Sequence, residues 1–319
     1  MVRDASPDVS VIIPTYNRKE LLQQAITSCF AGNEALDVEV VVVDDGSTDG
    51  TREYLEQLDD DRIRPILQEH RGGQHARNRG LEEAEGEYVK FLDDDDWLAP
   101  NALVREVHTL RESQADVCSG GCRFVGPGGQ ELGEPSLDAS GTLVQQFLEN
   151  EVGPQPLRHT YRREKIMGLE WDEDLPCRQD YAFLMEVALQ DPSHVVTGEI
   201  SGFKRQHEEG LSEREESKRK GANVHLSILF DAAQYIQDSG RFGEATRRVL
   251  AQKLWAWGRI VAVEDWQFFV DVNDYLEEFA PGFKPSRRHL PLRAIDAVLG
   301  RVGTEKVTRP LRKAISARA

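Results

Sequence analysis

The chain has 319 residues, 39% of them hydrophobic, and a formal net charge of −17 at pH 7. That length suffices for a full α/β core with a smaller appendage, and so negative a balance repels nucleic acid and excludes it as a partner. The N-terminus MVRDASPDVSVIIP has no apolar signal region and no run approaches the roughly 18 apolar residues of a membrane span, so the expected location is cytoplasmic.

In chain order, Val9 to Ile13 (VSVII) is a continuous apolar run that reads as a buried parallel strand and stops at Pro14. Thr15, Tyr16 and Asn17 make a polar turn, and apolar residues at helical spacing from Leu21 to Phe30 predict a helix over 18–30 that ends at Gly32 and Asn33. Val38 to Val43 (VEVVVV) predicts a second buried strand running into Asp44, Asp45, Gly46 and Ser47. A helix over 50–58, a short strand over 62–67, a Gly-containing loop over 70–74 and a helix over 76–84 come next. This alternation predicts a doubly wound, mostly parallel sheet flanked by helices.

Tyr88 to Leu92 then runs into four consecutive carboxylates, Asp93, Asp94, Asp95 and Asp96. A solvated acidic turn is the ordinary reading of such a run. The buried strand in front of it, with Trp97 and Pro100 behind, favours instead a site for a hard divalent cation, because adjacent carboxylates repel one another unless one is bound. Three strand ends carry polar clusters, PTYN, DDGS and DDDD, and in a parallel sheet they share one edge, where ligands of open α/β folds bind. Together they suggest a nucleotide site: Tyr16 can stack on a base, Asp45 can accept a base or ribose donor, and the acidic run can hold a metal against a diphosphate. No Walker loop occurs and no GxGxxG follows the first strand.

Further along, 115–124 and 130–132 flank Gly126, Pro127, Gly128 and Gly129 and predict a β-hairpin. Asp180 opens an amphipathic helix carrying Tyr181, Phe183, Leu184 and Val187, a place where capping is the commonest use of a carboxylate. Val195 and Val196 suggest one more strand, and 222–278 is helical in pattern and reads as an appendage. Cys29, Cys118, Cys122 and Cys177 lack the spacing of a metal site and read as free thiols. Residues 281–319 carry ten basic residues against Asp296 and Glu305, a net of +8 that leaves −25 on 1–280. Leu292, Ile295, Val298, Leu299 and Val302 share a helical face there, so the tail can reach an anionic membrane surface or fold back on the acidic body.

VSVIIPTYNR, VVVDDGSTDGT, GGQHARNRGLEEAEGEYVKFLDDDDWLAP, CRQDYAFLMEVAL and KRQHEEGLS resemble, in this order and spacing, the family 2 glycosyltransferases of GT-A fold, over about residues 9–212. The resemblance implies a GT-A catalytic domain over 1–215, with the helical appendage at 216–280 and the basic tail at 281–319. It implies base and ribose contacts from Pro14, Thr15, Tyr16, Asn17, Arg18 and Asp45. Its D-x-D motif falls on Asp93 and Asp95, with Asp95 the ligand of Mn²⁺ or Mg²⁺ and Asp93 shared between ribose and metal. Because four Asp residues are contiguous the register stays open, with Asp94, on the nucleotide side, and Asp96 as second choices. It also implies Asp180 as general base, with Gln179 where the family has Glu, and His207 as a metal or diphosphate contact. The implied activity is inverting transfer from a nucleoside diphosphate sugar, UDP-sugar first, to a lipid-linked glycan or a polysaccharide or glycoprotein precursor; the basic tail 281–319, by its charge, adds the expectation of peripheral contact at the inner face of the cell membrane. A non-catalytic sugar-nucleotide binder and a receiver-type signalling module are the alternatives; retention of Asp95 and Asp180 speaks against the first, and chain length against the second.

Overall fold

Val9–Thr15 (β1) and Val38–Asp44 (β2) are buried at every position, as strands covered on both faces must be. They pair in parallel, and β1 pairs in parallel on its other side with Tyr88–Phe91 (β4). Ile63–Leu67 (β3) lies outside β2, also parallel. The clusters after β1, β2 and β4 therefore emerge at one sheet edge. Lys19–Phe30 (α1) packs Leu22, Ala25, Ile26 and Cys29 into one core with Val9, Val11 and Ile13. On the opposite face, Gly73–Glu83 (α3) comes so close that a Cβ on Gly80 would stand 2.4 Å from Ile12 Cγ2. Thr51–Glu56 (α2) completes the crossover from β2 to β3.

The computed structural model describes residues 6–132, 142–149, 155–206, 215–262 and 265–286. The sheet runs in the order β3-β2-β1-β4-β7-β6-β8-β5, where β5 is Trp97–Leu98, β6 Val117–Val125, β7 His159–Arg162 and β8 His194–Arg205. Beyond β4 its directions mix: β7 is antiparallel to β4 and β6, β6 is parallel to β8, and β5 is antiparallel to β8. The hairpin expected over 115–132 is seen at its turn, where Val125↔Glu131 form an antiparallel bridge, Leu132 N–H donates to the Phe124 carbonyl at 2.8 Å and Gly126 N–H to the Gln130 carbonyl at 2.9 Å; β6 makes its long ladder with β8. Ala102–Ser113 (α4), which the sequence reading left out, buries Leu103, Val107 and Leu110 and also Glu106. Shorter helices are Leu143–Glu149 (α5) and Arg163–Ile166 (α6); Gln179–Leu189 (α7) starts at the expected carboxylate. Cys29, Cys118 and Cys122 are buried free thiols, and Cys177 is a free thiol partly open to solvent.

The chain divides into two units, Met1–Gly210 and Leu211–Ala319. The described part of the second consists of Glu215–Ser239 (α8), Glu244–Val261 (α9) and Trp266–Phe279 (α10). Here α9 buries Leu250, Leu254 and Trp255, α10 buries Phe269, Val272 and Leu276, and Asp265 caps α10 by accepting from Phe268 N at 2.9 Å. Among the described residues no helix is long and apolar enough to cross a membrane. The basic stretch 287–319 lies outside the described residues.

Candidate functional site

Where β4 ends, the four carboxylates diverge. Asp93, Asp95 and Asp96 each offer an oxygen, all within 4.8 Å of one another. Asp94 turns away and accepts from Thr15 Oγ1 at 2.8 Å and from Arg18 at 2.9 Å. Arg18 bridges on to Asp95, also at 2.9 Å. From α3, Arg77 pairs with Asp93, and from the end of β8 Lys204 Nζ lies 3.4 Å from Asp93 and 3.2 Å from Asp96. The next residue closes the turn, its Arg205 backbone N–H donating to Asp96 at 2.9 Å and its guanidinium to the Asp95 carbonyl at 3.2 Å. The pairing of β8 with β5 puts these cations beside the acidic turn: Trp97 stands opposite Phe203, and their rings stack at 5.3 Å.

These surroundings separate the carboxyl groups electrostatically. Burial alone would raise Asp93, but Arg77 and Lys204 override it and hold this carboxyl well below the usual range. Burial pushes Asp96 up to about 7 despite Lys204, and Asp93 and Asp95 add to the rise. Burial also raises Asp94 against the pull of Arg18. Three clustered carboxylate oxygens are hard donors suited to Mg²⁺ or Mn²⁺, so the residues present fit the metal that the resemblance implies.

The crevice beside this cluster has a volume of about 420 Å³, and Pro14, Thr15, Tyr16, Arg18, Asp45, His70 and Arg77 are among the residues that line it. Asn17 adopts φ 53° and knits two strand ends together, donating its N–H to Ser47 Oγ at 2.9 Å and accepting from Thr48 N at 2.7 Å. Asp45 is buried. One of its oxygens meets Gln68 Nε2 at 2.7 Å and Arg71 N at 2.8 Å, and the other meets Gly72 N and His70 Nδ1, both at 2.8 Å. All four contacts lie in the loop before α3, so this carboxylate fixes the loop. The His70 ring it holds stacks on Tyr16 at 4.3 Å and 25°.

Asp180 sits in the first turn of α7, partly buried. The N-cap position of this helix is Arg178, so Asp180 lies inside the first turn and is not the capping residue. Burial raises its carboxyl and the Asp93 charge adds to the rise, while Arg77 and Lys204 pull the other way. The helix is held to β4 by an aromatic cluster: Trp171 stacks on Phe183 at 4.4 Å, Phe91 meets both edge-on, and Arg77 covers Trp171 at 4.7 Å. Asn78 of α3 clamps the preceding loop, donating to Trp171 O at 2.9 Å and accepting from Trp171 N at 2.7 Å.

Pro14, Thr15, Tyr16, Asn17, Arg18, Asp45 and Asp93 to Asp96 thus gather at one sheet edge, with Asp180 electrostatically linked to it through Asp93. His207 lies outside the described residues. The sequence reading missed Arg77, Lys204, His70 and Gln68 as site residues. Arg77 and Lys204 stand within GGQHARNRG and KRQHEEGLS but 16 and 111 residues from Asp93, so no local spacing marked them as its partners.

The family model described as Glycosyl transferase family 2 matches residues 10–205. The GalNAc(5)-diNAcBac-PP-undecaprenol beta-1,3-glucosyltransferase of Campylobacter jejuni is 42% identical over 115 residues, 35% of this chain and 37% of that protein. The succinoglycan biosynthesis protein ExoO of Rhizobium meliloti is 35% identical over 201 residues, 57% of this chain and 56% of that protein. These matches span from about a third to just over half of the relatives' lengths. Among solved structures, S. aureus TarS 1-349 in complex with UDP-GlcNAc aligns with a TM-score of 0.65 at 21% identity, covering 86% of this chain and 82% of that one. The mannosyltransferase PcManGT from Pyrobaculum calidifontis, in complex with GDP-Man and Mn²⁺, aligns with a TM-score of 0.52 at 18% identity, covering 98% and 88%. At these identities the structural likeness establishes the GT-A fold, and the match over 10–205, well over half of the sequence, establishes more: the chain belongs to glycosyl transferase family 2.

Proposed function

We propose that this chain is a metal-dependent glycosyltransferase that moves a sugar from a nucleoside diphosphate sugar to a glycan or lipid-linked acceptor, with inversion. The observation that carries this reading is the convergence at one sheet edge of an aromatic face and a cluster of three carboxylates beside a crevice lined by cationic side chains. The UDP-GlcNAc bound to the TarS neighbour supports a UDP-sugar as the first choice of donor, and the undecaprenol-linked substrate in one relative's name supports a lipid-linked acceptor. The catalytic part is assigned to 1–215, with 216–280 as the appendage.

In this reading Tyr16 and His70 offer the base a ring face, while Asp45 holds the loop that carries His70. Asp93, Asp95 and Asp96 would hold Mn²⁺ or Mg²⁺. Such a cation, when bound, stabilises the charge that develops on the departing diphosphate. Arg18, Arg77 and Arg205 border the same space and present guanidinium donors to phosphate oxygens. Asp180 takes the proton from the acceptor hydroxyl, and its raised pKa makes it a stronger base than an exposed carboxylate. Asp93, Asp94, Asp95 and Asp96 are paired with Arg18, Arg77 and Lys204, which makes them poorer proton acceptors than the same groups unpaired. A single displacement aided by one base, with no nucleophile from the enzyme, inverts the anomeric centre. His207 is proposed as a further diphosphate or metal contact.

UDP-, GDP- and dTDP-sugars are to be scored for binding and hydrolysis with and without Mn²⁺. Metal-dependent binding of a UDP-sugar is the expected outcome; a folded protein that binds none of them under either condition overturns the reading. The +8 charge of 281–319 motivates a second proposal, peripheral attachment to an anionic membrane surface. Liposome flotation at low and high salt, comparing the full chain with a truncation at Gly282, tests it, and equal flotation of both forms refutes it.

A further inference from the structure

The carboxylates assigned to the metal are already paired with cations of the chain itself: Arg77 with Asp93, Arg18 with Asp95, and Lys204 with both Asp93 and Asp96. Lys204 Nζ lies 3.4 Å from Asp93 and 3.2 Å from Asp96, so it contacts two of the three acids whose oxygens cluster within 4.8 Å. It is set there by rigid structure: Phe203 stacks on Trp97, and the backbone N–H of Arg205 is anchored on Asp96. The Lys204 side chain is 25% exposed, against 44% for Arg18, the other bridging cation. Arg18 shares its charge with Asp94, which points away from the cluster, whereas among the described residues both ion pairs of Lys204 are to members of the cluster. A divalent cation seated on Asp93 and Asp96 is repelled by an ammonium that contacts the same two carboxylates, and more strongly in a partly dehydrated site than in water.

We propose that Lys204 is the resident counter-cation of the acidic turn, which a divalent metal must displace from Asp93 and Asp96 in order to bind. Lys204 then acts as a positioning residue that sets metal affinity. It keeps the metal-free carboxylates together, so the site stays formed between turnovers, and it holds the affinity of the empty enzyme for the cation low. Once displaced, the ammonium remains on the crevice wall, where the diphosphate is the next available anion. This inference rests on the metal reading above.

The test is Mn²⁺ binding to the full chain without nucleotide, followed by the electron paramagnetic resonance of free Mn²⁺ and by calorimetry. Lys204→Met should bind Mn²⁺ at least tenfold more tightly than the wild type, while Lys204→Arg, which keeps the charge, should stay near the wild type. In the same variants the rise in Tm on adding Mn²⁺ should be larger for Lys204→Met, because its metal-free turn has lost its counter-charge. Equal or weaker Mn²⁺ binding by Lys204→Met overturns the inference while leaving the metal site itself standing. No Mn²⁺ binding by wild type, Lys204→Met or Lys204→Arg removes the metal reading, and this inference with it. If Lys204→Met does not fold without metal, recovery of the fold by Mn²⁺ but not by an equal ionic strength of NaCl supports the displacement, and failure of both to restore it overturns it.

Discussion

Lys90 sits in the middle of β4, three residues before the acidic turn, and its side chain is fully buried. Its ammonium pairs at 2.7 Å with Glu106 of α4, itself 2% exposed. The Glu106 carboxylate also accepts from the hydroxyls of Thr160 on β7 and Ser201 on β8, so one buried charge ties three strands to a helix. Lys90→Met removes the counter-charge and leaves the carboxylate in the core with only two hydroxyl donors. Breaking one side of a buried pair costs about 3–5 kcal/mol, which for a unit of this size is a fall in Tm on the order of 10 °C. Lys90→Met with Glu106→Gln should recover a large part of this, since the carboxamide oxygen still accepts a hydroxyl and no charge remains unpaired. Urea unfolding followed by circular dichroism measures both variants. A Lys90→Met protein within about 1 kcal/mol of wild type, or a double variant no more stable than the single one, would refute the reasoning.

Asp95→Asn should abolish turnover and weaken nucleoside diphosphate binding in the presence of Mn²⁺, and full activity in that variant would remove Asp95 from the metal site. Asp180→Asn should keep donor and Mn²⁺ affinity while transfer falls by about 10² or more; loss of donor binding in the folded variant would recast this residue as structural. Gly80→Ala should destabilise by about 1–3 kcal/mol, because the added methyl would stand 2.4 Å from Ile12 Cγ2 and push α3, with Arg77, away from the sheet; an unchanged Tm would contradict so tight a contact. The fold should also be acid-sensitive through His159 and His194, which flank Ser119 Oγ at 2.7 and 2.8 Å. Burial lowers His159 well below 6.5 and His194 to about 4, so their contribution is full above pH 6.5 and is lost as pH falls through the folded values. His194→Gln should flatten the fall in urea midpoint between pH 6.5 and 4, and an unaltered slope would count against this source.

The sequence by itself determined the parallel half of the sheet. VSVII and VEVVVV are continuous apolar runs, which only strands covered on both faces sustain, and their polar ends had to meet at one edge once the strands were parallel. The acidic run was legible for the same reason, from local residue type and spacing, whereas the carboxylate at the start of α7 was singled out by the family resemblance, its local pattern alone reading as a helix cap. The tertiary structure decided what depends on partners distant in the chain. Insertion of β7 between β4 and β6 was not legible in the sequence, because a short strand chooses its neighbour by the face it can bury and not by proximity in sequence. Four identical Asp residues carry no label of direction; Thr15 and Arg18 turned Asp94 away and left Asp93, Asp95 and Asp96 together. The charge that balances them comes from Lys204, 111 residues from Asp93, and the pairing of β8 with β5 brings it there. Lys90 in a buried strand was an anomaly in the sequence, and it became intelligible only when α4 supplied Glu106, since a buried charge is stable only where the fold delivers its partner.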